Sequence, residues 1–205
     1  MNSRLWVRFF LISLVVGAVS TIVSGLVVRW DQFGEYFIQW DTVEVLAIMV
    51  WLIGVGLIFS VISQMGFFAY ITFHRLALGL FRGNKLWNYV QVILIFVAII
   101  DFVYLRNKFE PGILLYLGLA IVIVAVSALV AIKKANETDS RALIPTLFFM
   151  IVITIVEWIP ALQVKENTWL LTMLFPLLIC NAHQILTLHK INQKAEEIKK
   201  IKMSS

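Results

Sequence analysis

The sequence predicts an all-α, polytopic integral membrane protein with six transmembrane helices and with both termini in the cytoplasm. Hydrophobic residues make up 61% of the 205 residues and charged residues only 14%, whereas soluble domains carry about 25% charged residues. Apolar runs of about 20 residues, each long enough to cross the core of a bilayer, recur along the chain. Basic residues concentrate in alternate connections between these runs. These observations exclude a soluble globular protein.

The apolar runs give the expected bounds of the transmembrane helices. The first run is longer than the apolar part of a signal peptide, so we predict an uncleaved first span. Residues 1–188 are expected to form the transmembrane domain, and residues 189–205 a basic, amphipathic cytoplasmic tail whose apolar residues keep helical spacing. The spans are expected at about 5–28, 43–73, 86–105, 112–132, 142–162 and 169–188.

The first span carries four small residues at strict four-residue spacing, namely Ser13, Gly17, Thr21 and Gly25. Small residues on one helix face let two helix backbones approach closely, where lipid gives no hydrophobic drive to associate. The pattern indicates tight packing against another span of the same chain, or a face that binds a second chain. In the second case Gly17 and Thr21 would be partner-contact residues.

The second span is longer than a bilayer requires, so we expect it to tilt or to extend beyond one interface. Gln64 lies toward its far end and must form a hydrogen bond to a neighbouring helix, a carbonyl or water. A basic connection follows, with Arg75, Arg82 and Lys85 interleaved with apolar residues and no acid. These three residues are candidates for contact with a cytoplasmic partner.

The distribution of basic residues predicts the orientation. All but four of the 17 Lys and Arg residues lie at the amino end, in the second and fourth connections, or in the tail; the four are Arg29, Arg106, Lys108 and Lys165. By the positive-inside rule, both termini are then cytoplasmic. The net charge of +5 indicates anionic lipid headgroups as partners, and no nucleic acid, because the basic residues flank apolar runs.

Polar residues inside the predicted spans form the candidate intramembrane site, namely Asp101, Glu157, Gln64 and His183. Acids in spans are costly and usually face the bundle interior or a wet cavity. Asp101 and Glu157 lie near the outer ends of their helices. They could pair with basic residues there, or sense a ligand or a proton. His183 is expected to face another helix through a hydrogen bond.

Motifs of soluble enzymes are absent from the sequence: no Gly-rich phosphate loop, G-x-S-x-G elbow, H-E-x-x-H or kinase set occurs. The single cysteine, Cys180, excludes a disulfide and a Cys-based metal site. We therefore predict no catalytic residue, cofactor or metal. Intramembrane chemistry at Asp101 and Glu157 stays open as an alternative.

Three stretches carry a resemblance that extends over essentially the whole chain: SRLWVRFFLISLVVGAVSTIVSG, WLIGVGLIFSVISQMGFFAYITFHRLALGLF and LWNYVQVILIFVAIIDFVYLR. With the six-span layout, they resemble the KbaA family, the KinB-signalling pathway activation proteins of endospore-forming bacilli. The resemblance implies a multi-pass protein of the cytoplasmic membrane that activates a sensor histidine kinase feeding the sporulation phosphorelay. It supplies no set of functional residues.

Three functional hypotheses follow. In the first, the chain is a regulator that contacts the kinase and favours its active state. In the second, it is a small transporter or intramembrane enzyme that supplies or moves the ligand that the kinase senses. In the third, it is a passive structural membrane protein, whose deletion would leave sporulation intact.

Overall fold

A computed structural model describes residues 3–81, 84–109, 111–162 and 166–204. Within these ranges the chain is helical and contains no strand. A 3-10 turn at Ser140–Ala142 and a π-helical segment at Phe149–Ile153 interrupt the regular helices. The α-helices are α1 (Ser3–Val28), α2 (Trp30–Ile38), α3 (Thr42–Leu80), α4 (Asn84–Phe109), α5 (Ile113–Glu137), α6 (Leu143–Phe148), α7 (Thr154–Leu162) and α8 (Asn167–Ser204).

The described ranges contain six helical stretches that are long and apolar enough to cross a bilayer, which confirms the predicted number. They are α1, α3, α4, α5, the combined stretch from Ser140 to Leu162, and α8. Most of these helices extend past the predicted bounds, because polar and charged residues that end an apolar run do not end a helix. The connection predicted after the second span is accordingly not all loop, since α3 continues through Arg75 to Leu80.

The first connection is also helical. Most of its aromatic residues lie in α2, which has the acid Asp31 in its first turn and a buried Gly34 beside the Trp30 ring. Asp41 then caps α3, because its Oδ1 accepts from the backbone N–H of Val43 at 3.2 Å and of Glu44 at 3.3 Å. This cap ends the connection and sets the first turn of α3.

Successive long helices run antiparallel. Phe9, near the start of α1, packs on Phe67, late in α3, with ring centroids 5.6 Å apart. Arg29, just after α1, forms an ion pair with Glu166, just before α8, at 3.3 Å. We call the end of the bundle that holds the first residues of α1 and the last residues of α8 the tail end. The opposite end is the α2 end.

The most extensive packing joins α1 to α3 and α8. At the α1–α3 crossing, a Cβ on Gly17 would lie 2.5 Å from the Ser60 Cβ and 2.7 Å from the Gly56 carbonyl oxygen. A Cβ on Gly56 would lie 2.7 Å from the Gly17 carbonyl oxygen. Only glycine fits at both positions. The small residues of the first span are therefore used for packing inside this chain.

A π-helical segment separates α6 from α7, and it was not predicted. Four consecutive residues in and beside it are almost fully buried, namely Phe148, Phe149, Met150 and Ile151. The wider π turn carries one more residue than an α turn and so shifts the register of the residues that follow. Thr154 and Glu157 are buried on α7 directly after this shift.

The last helix is continuous from Asn167 to Ser204, so no break separates the predicted transmembrane domain from the predicted tail. Up to Lys200, the tail exposes its basic residues, while Ile191, Ala195 and Ile198 are half-buried. This pattern fits the predicted amphipathic helix.

Candidate functional site

A cluster of buried polar side chains joins three helices in the middle of the bundle. Asn181 on α8 is fully buried. Its Oδ1 accepts from the Ser63 hydroxyl of α3 at 2.7 Å, and its Nδ2 donates to the Thr154 hydroxyl at 2.9 Å and to Glu157 Oε2 at 2.7 Å. The Nε2 of Gln184 donates to the Ser63 hydroxyl at 2.8 Å. We call these five residues the Asn181 cluster.

Glu157 is the one acid of the Asn181 cluster, and it is 7% exposed. Its Oε2 is held by Asn181, while its Oε1 has no hydrogen-bond partner among the described residues. A Cβ on Gly66 of α3 would overlap Oε1 and would lie 2.8 Å from the Glu157 Cδ. Gly66 therefore makes the space that this carboxyl occupies between α7 and α3.

A second polar chain continues from α3 to α1. The Nε2 of Gln64 donates to the Ser60 hydroxyl at 3.2 Å, and that hydroxyl donates to the carbonyl oxygen of Ser13 at 2.7 Å. The Oε1 of Gln64 has no partner in the ranges that the structure describes. Gln64 thus bonds within its own helix, and Ser60 makes the contact to the neighbouring one.

The Asn181 cluster fixes how α3, α7 and α8 meet. Hydrogen bonds between membrane helices average about 0.6 kcal/mol each, so the cluster contributes modest stability and a defined register. In the described ranges, the Oε1 atoms of Glu157 and Gln184 have no hydrogen-bond partner. The cluster can therefore form further hydrogen bonds at these two oxygens. No group of three metal-ligating side chains occurs among the described residues.

Asp101 and Glu157 are not brought together as one site. Asp101 is exposed on α4, whereas Glu157 is buried on α7, and no hydrogen bond or ion pair between described residues joins them. Pairing of Glu157 with Arg29 or Arg106, one of the alternatives that the sequence left open, does not occur among the described residues, and Lys165 lies outside them. Arg29 pairs with Glu166, and the fully buried Arg106 donates to the Leu162 carbonyl at 3.1 Å. The rotation of each helix about its own axis determines which side chains meet, and the spacing of residues in the sequence does not define that rotation.

His183 faces α1 as a stacked ring and not through a hydrogen bond. Its ring lies 6.3 Å from that of Phe9 at an interplanar angle of 16°. Its buried Nε2 has no partner among the residues described. The ring borders a cavity of about 250 Å³ that is also lined by Arg8, Lys190 and Lys194.

The predicted partner-contact residues fall into two groups. Gly17 and Thr21 are buried at the α1–α3 crossing. Arg75 and Lys85 are exposed at the tail end. Arg82 lies outside the described residues.

The residues that connect the site were not among the predicted site residues. Asn181, Gln184 and Thr154 are uncharged, and such residues are common in spans. A usable signal was the spacing, because Asn181 and Gln184, and likewise Thr154 and Glu157, stand three residues apart and share a helix face. Nothing in the sequence marked Arg106 as buried.

These observations define, over the described residues, a helical protein with six helical stretches long and apolar enough to span a membrane, of which α3, α7 and α8 are joined by the buried Asn181 cluster. The model of the KbaA family, described as KinB-signalling pathway activation in sporulation, matches residues 17–191. The chain belongs to this family. It is 40% identical over 198 residues to the KinB-signaling pathway activation protein of Bacillus subtilis (strain 168), a match that covers 95% of this chain and 100% of the relative. No solved structure matches the chain.

Proposed function

We infer that this chain is a multi-pass protein of the cytoplasmic membrane that promotes sporulation by activating a sensor histidine kinase, and so feeds a phosphorelay. The observation that carries this proposal is the family match, whose description is KinB-signalling pathway activation in sporulation. The relative with 40% identity over its whole length has a name of the same meaning. Activation requires that the chain bind the active state of the kinase more tightly than the inactive state, or deliver the signal that the kinase detects.

We place the tail end in the cytoplasm. All but four of the 17 Lys and Arg residues lie near the start of α1, in or beside the α3–α4 and α5–α6 connections, or in the tail, and so at this end. An excess of basic residues on one side is the rule for cytoplasmic connections. This orientation brings Arg75, Lys85 and the basic tail within reach of the cytoplasmic part of a kinase.

The test of contact is site-specific crosslinking in membranes. Lys85→Cys and Lys199→Cys, made in a Cys180→Ala background, put single thiols on exposed positions of the tail end. Leu114→Cys, at the α2 end and 83% exposed, is the matched control. Capture of the sensor kinase from the tail end and not from Leu114 supports contact. Absence of capture from both tail-end positions, in cells where the kinase is active, contradicts it.

Charge reversal tests whether the basic connection takes part. Arg75→Glu, Arg82→Glu and Lys85→Glu together should lower kinase-dependent sporulation at unchanged protein abundance. If sporulation stays intact in the triple variant, the connection plays no part in activation.

A second candidate function is chemistry at Glu157 that makes or moves the ligand of the kinase. The observation that favours it is the buried carboxyl whose Oε1 lacks a partner in the described ranges. Glu157→Gln keeps an acceptor for Asn181 and removes the acid. Loss of signalling at normal membrane levels would favour this candidate, whereas full activity of that variant and of Asp101→Asn would favour contact.

A further inference from the structure

A cavity of about 400 Å³ lies at the tail end, where α3, α4, α5, α6 and α8 meet. Among the described residues, three cations line it, namely Arg75 of α3, Lys134 of α5 and Arg141 of the 3-10 turn, and no acid does. Like charges gathered around one space repel each other unless a counterion joins them. The cavity therefore has the electrostatics of an anion site.

The two arginines are available for a ligand. Both are exposed, and neither guanidinium has a hydrogen-bond or ion-pair partner among the described residues. The backbone N–H of Arg141 is bound by the Asp139 carboxylate at 2.7 Å, which fixes the backbone and leaves the side chain free. A guanidinium presents paired N–H donors that match a phosphate or carboxylate.

Lys134 supplies a fixed charge at the inner wall, because it is only 6% exposed. Its Nζ donates to the Ile185 carbonyl oxygen at 2.8 Å and to His189 Nδ1 at 2.9 Å. An ammonium has three donors, so one is left over. The carboxylate of Glu137 pairs with His189 at 3.4 Å and with Lys190 at 3.7 Å.

The walls of the cavity are held in place before any ligand binds. The Tyr70 hydroxyl donates to the Pro145 carbonyl oxygen at 3.0 Å and so ties α3 to α6. The indole N–H of the buried Trp87 donates to His74 Nδ1 at 2.9 Å. Because Nδ1 accepts, Nε2 carries the proton in the neutral ring, so His74 is a further donor in the lining.

The rest of the lining is apolar, with Ile71, Leu78, Ile185 and Leu188 beside the cations. An anion with an attached hydrocarbon chain would satisfy both parts of this surface. We propose that this cavity binds a phosphoryl anion, held by Arg75, Arg141 and Lys134, whose source is either the headgroup of an anionic phospholipid or a free phosphate. Basic pockets between helix ends are suited to such headgroups.

Binding to the purified, delipidated full chain in neutral detergent tests the proposal. Phosphatidylglycerol, phosphatidylcholine and inorganic phosphate are titrated separately, and bound molecules per chain are counted by native mass spectrometry. The test variant is Arg75→Gln with Arg141→Gln. The control is Arg4→Gln with Lys199→Gln, which removes equal charge from exposed positions at the tail end outside the cavity. Thermal exposure of the buried Cys180 checks that both variants are folded.

A lipid headgroup is identified if each chain binds one phosphatidylglycerol and binds it more tightly than phosphatidylcholine. The test variant should then bind phosphatidylglycerol about 30-fold more weakly than the parent chain. Saturable binding of inorganic phosphate, lost in the test variant and with no preference for the anionic lipid, identifies a free phosphate. Either result requires the control to bind like the parent chain. The proposal is overturned if neither phosphatidylglycerol nor inorganic phosphate binds. It is also overturned if the test variant binds as the parent does, or if the control loses as much binding as the test variant.

Discussion

The close approach of α1 and α3 predicts that Gly56→Ala lowers the stability of the protein. A Cβ placed on Gly56 would lie 2.7 Å from the Ala18 Cα, where ordinary contacts begin at 3.4 Å. Two of the three atoms that it meets belong to the backbone, namely the Ala18 Cα and the Gly17 carbonyl oxygen, and the third is the Thr21 Cβ. None of these is the far end of a flexible side chain, so Gly56→Ala must separate the two helices by several tenths of an ångström. Overpacking of this kind costs about 1–3 kcal/mol. For a chain of this length, that cost corresponds to a fall of about 2–12 °C in the unfolding midpoint.

The matched control lies on the same helix. A Cβ on Gly54 meets nothing within 4 Å, so Gly54→Ala should be neutral, or stabilising by up to about 1 kcal/mol through helix propensity. The chain also carries its own probe, because Cys180 is its single cysteine and is fully buried. A thiol-reactive dye followed during a temperature ramp in detergent reports the unfolding midpoint. Equal midpoints for the two variants would refute the close approach of the helices.

Three further predictions use the same thermal assay or a fusion. Arg106→Leu should lower the unfolding midpoint much more than Lys108→Leu. The reason is that Arg106 is fully buried and its guanidinium donates to a carbonyl oxygen, while Lys108 is exposed. Similar shifts of the midpoint in the two variants would contradict the burial of Arg106. Asn181→Leu removes three hydrogen bonds and should cost about 2 kcal/mol, and an unchanged midpoint would show that the cluster adds no stability. A reporter fused after Ser205 should be active in the cytoplasm; activity only outside the cell would reverse the proposed orientation.

The helices were predictable from the sequence, whereas their rotations were not. Apolar runs of sufficient length are a strong signal, and the described residues contain the predicted number of helical stretches long and apolar enough to span a membrane. The helices α3 and α5 extend past the ends of the predicted spans, because hydropathy reports where lipid ends and not where the helix ends. The spacing of Gly17 and its neighbours predicted a close helix contact, but it left the partner open between this chain and another.

The candidate site was predictable only in part. Glu157 stood out as an acid in an apolar run, and it is buried as expected of such residues. Asp101 stood out for the same reason and is exposed. The difference arises from the π turn and from helix rotation, which place Thr154 and Glu157 toward α8. Neither feature has a signature in the order of the residues.

The continuous α8 has a mechanical consequence. Its 38 residues give a rod of about 57 Å, nearly twice the thickness of a hydrocarbon core of about 30 Å. Past Pro176 it contains no proline down to Ser204, so this part has no hinge of that kind. A rotation of α8 about its axis, applied at Asn181, is therefore transmitted along the helix to its basic tail.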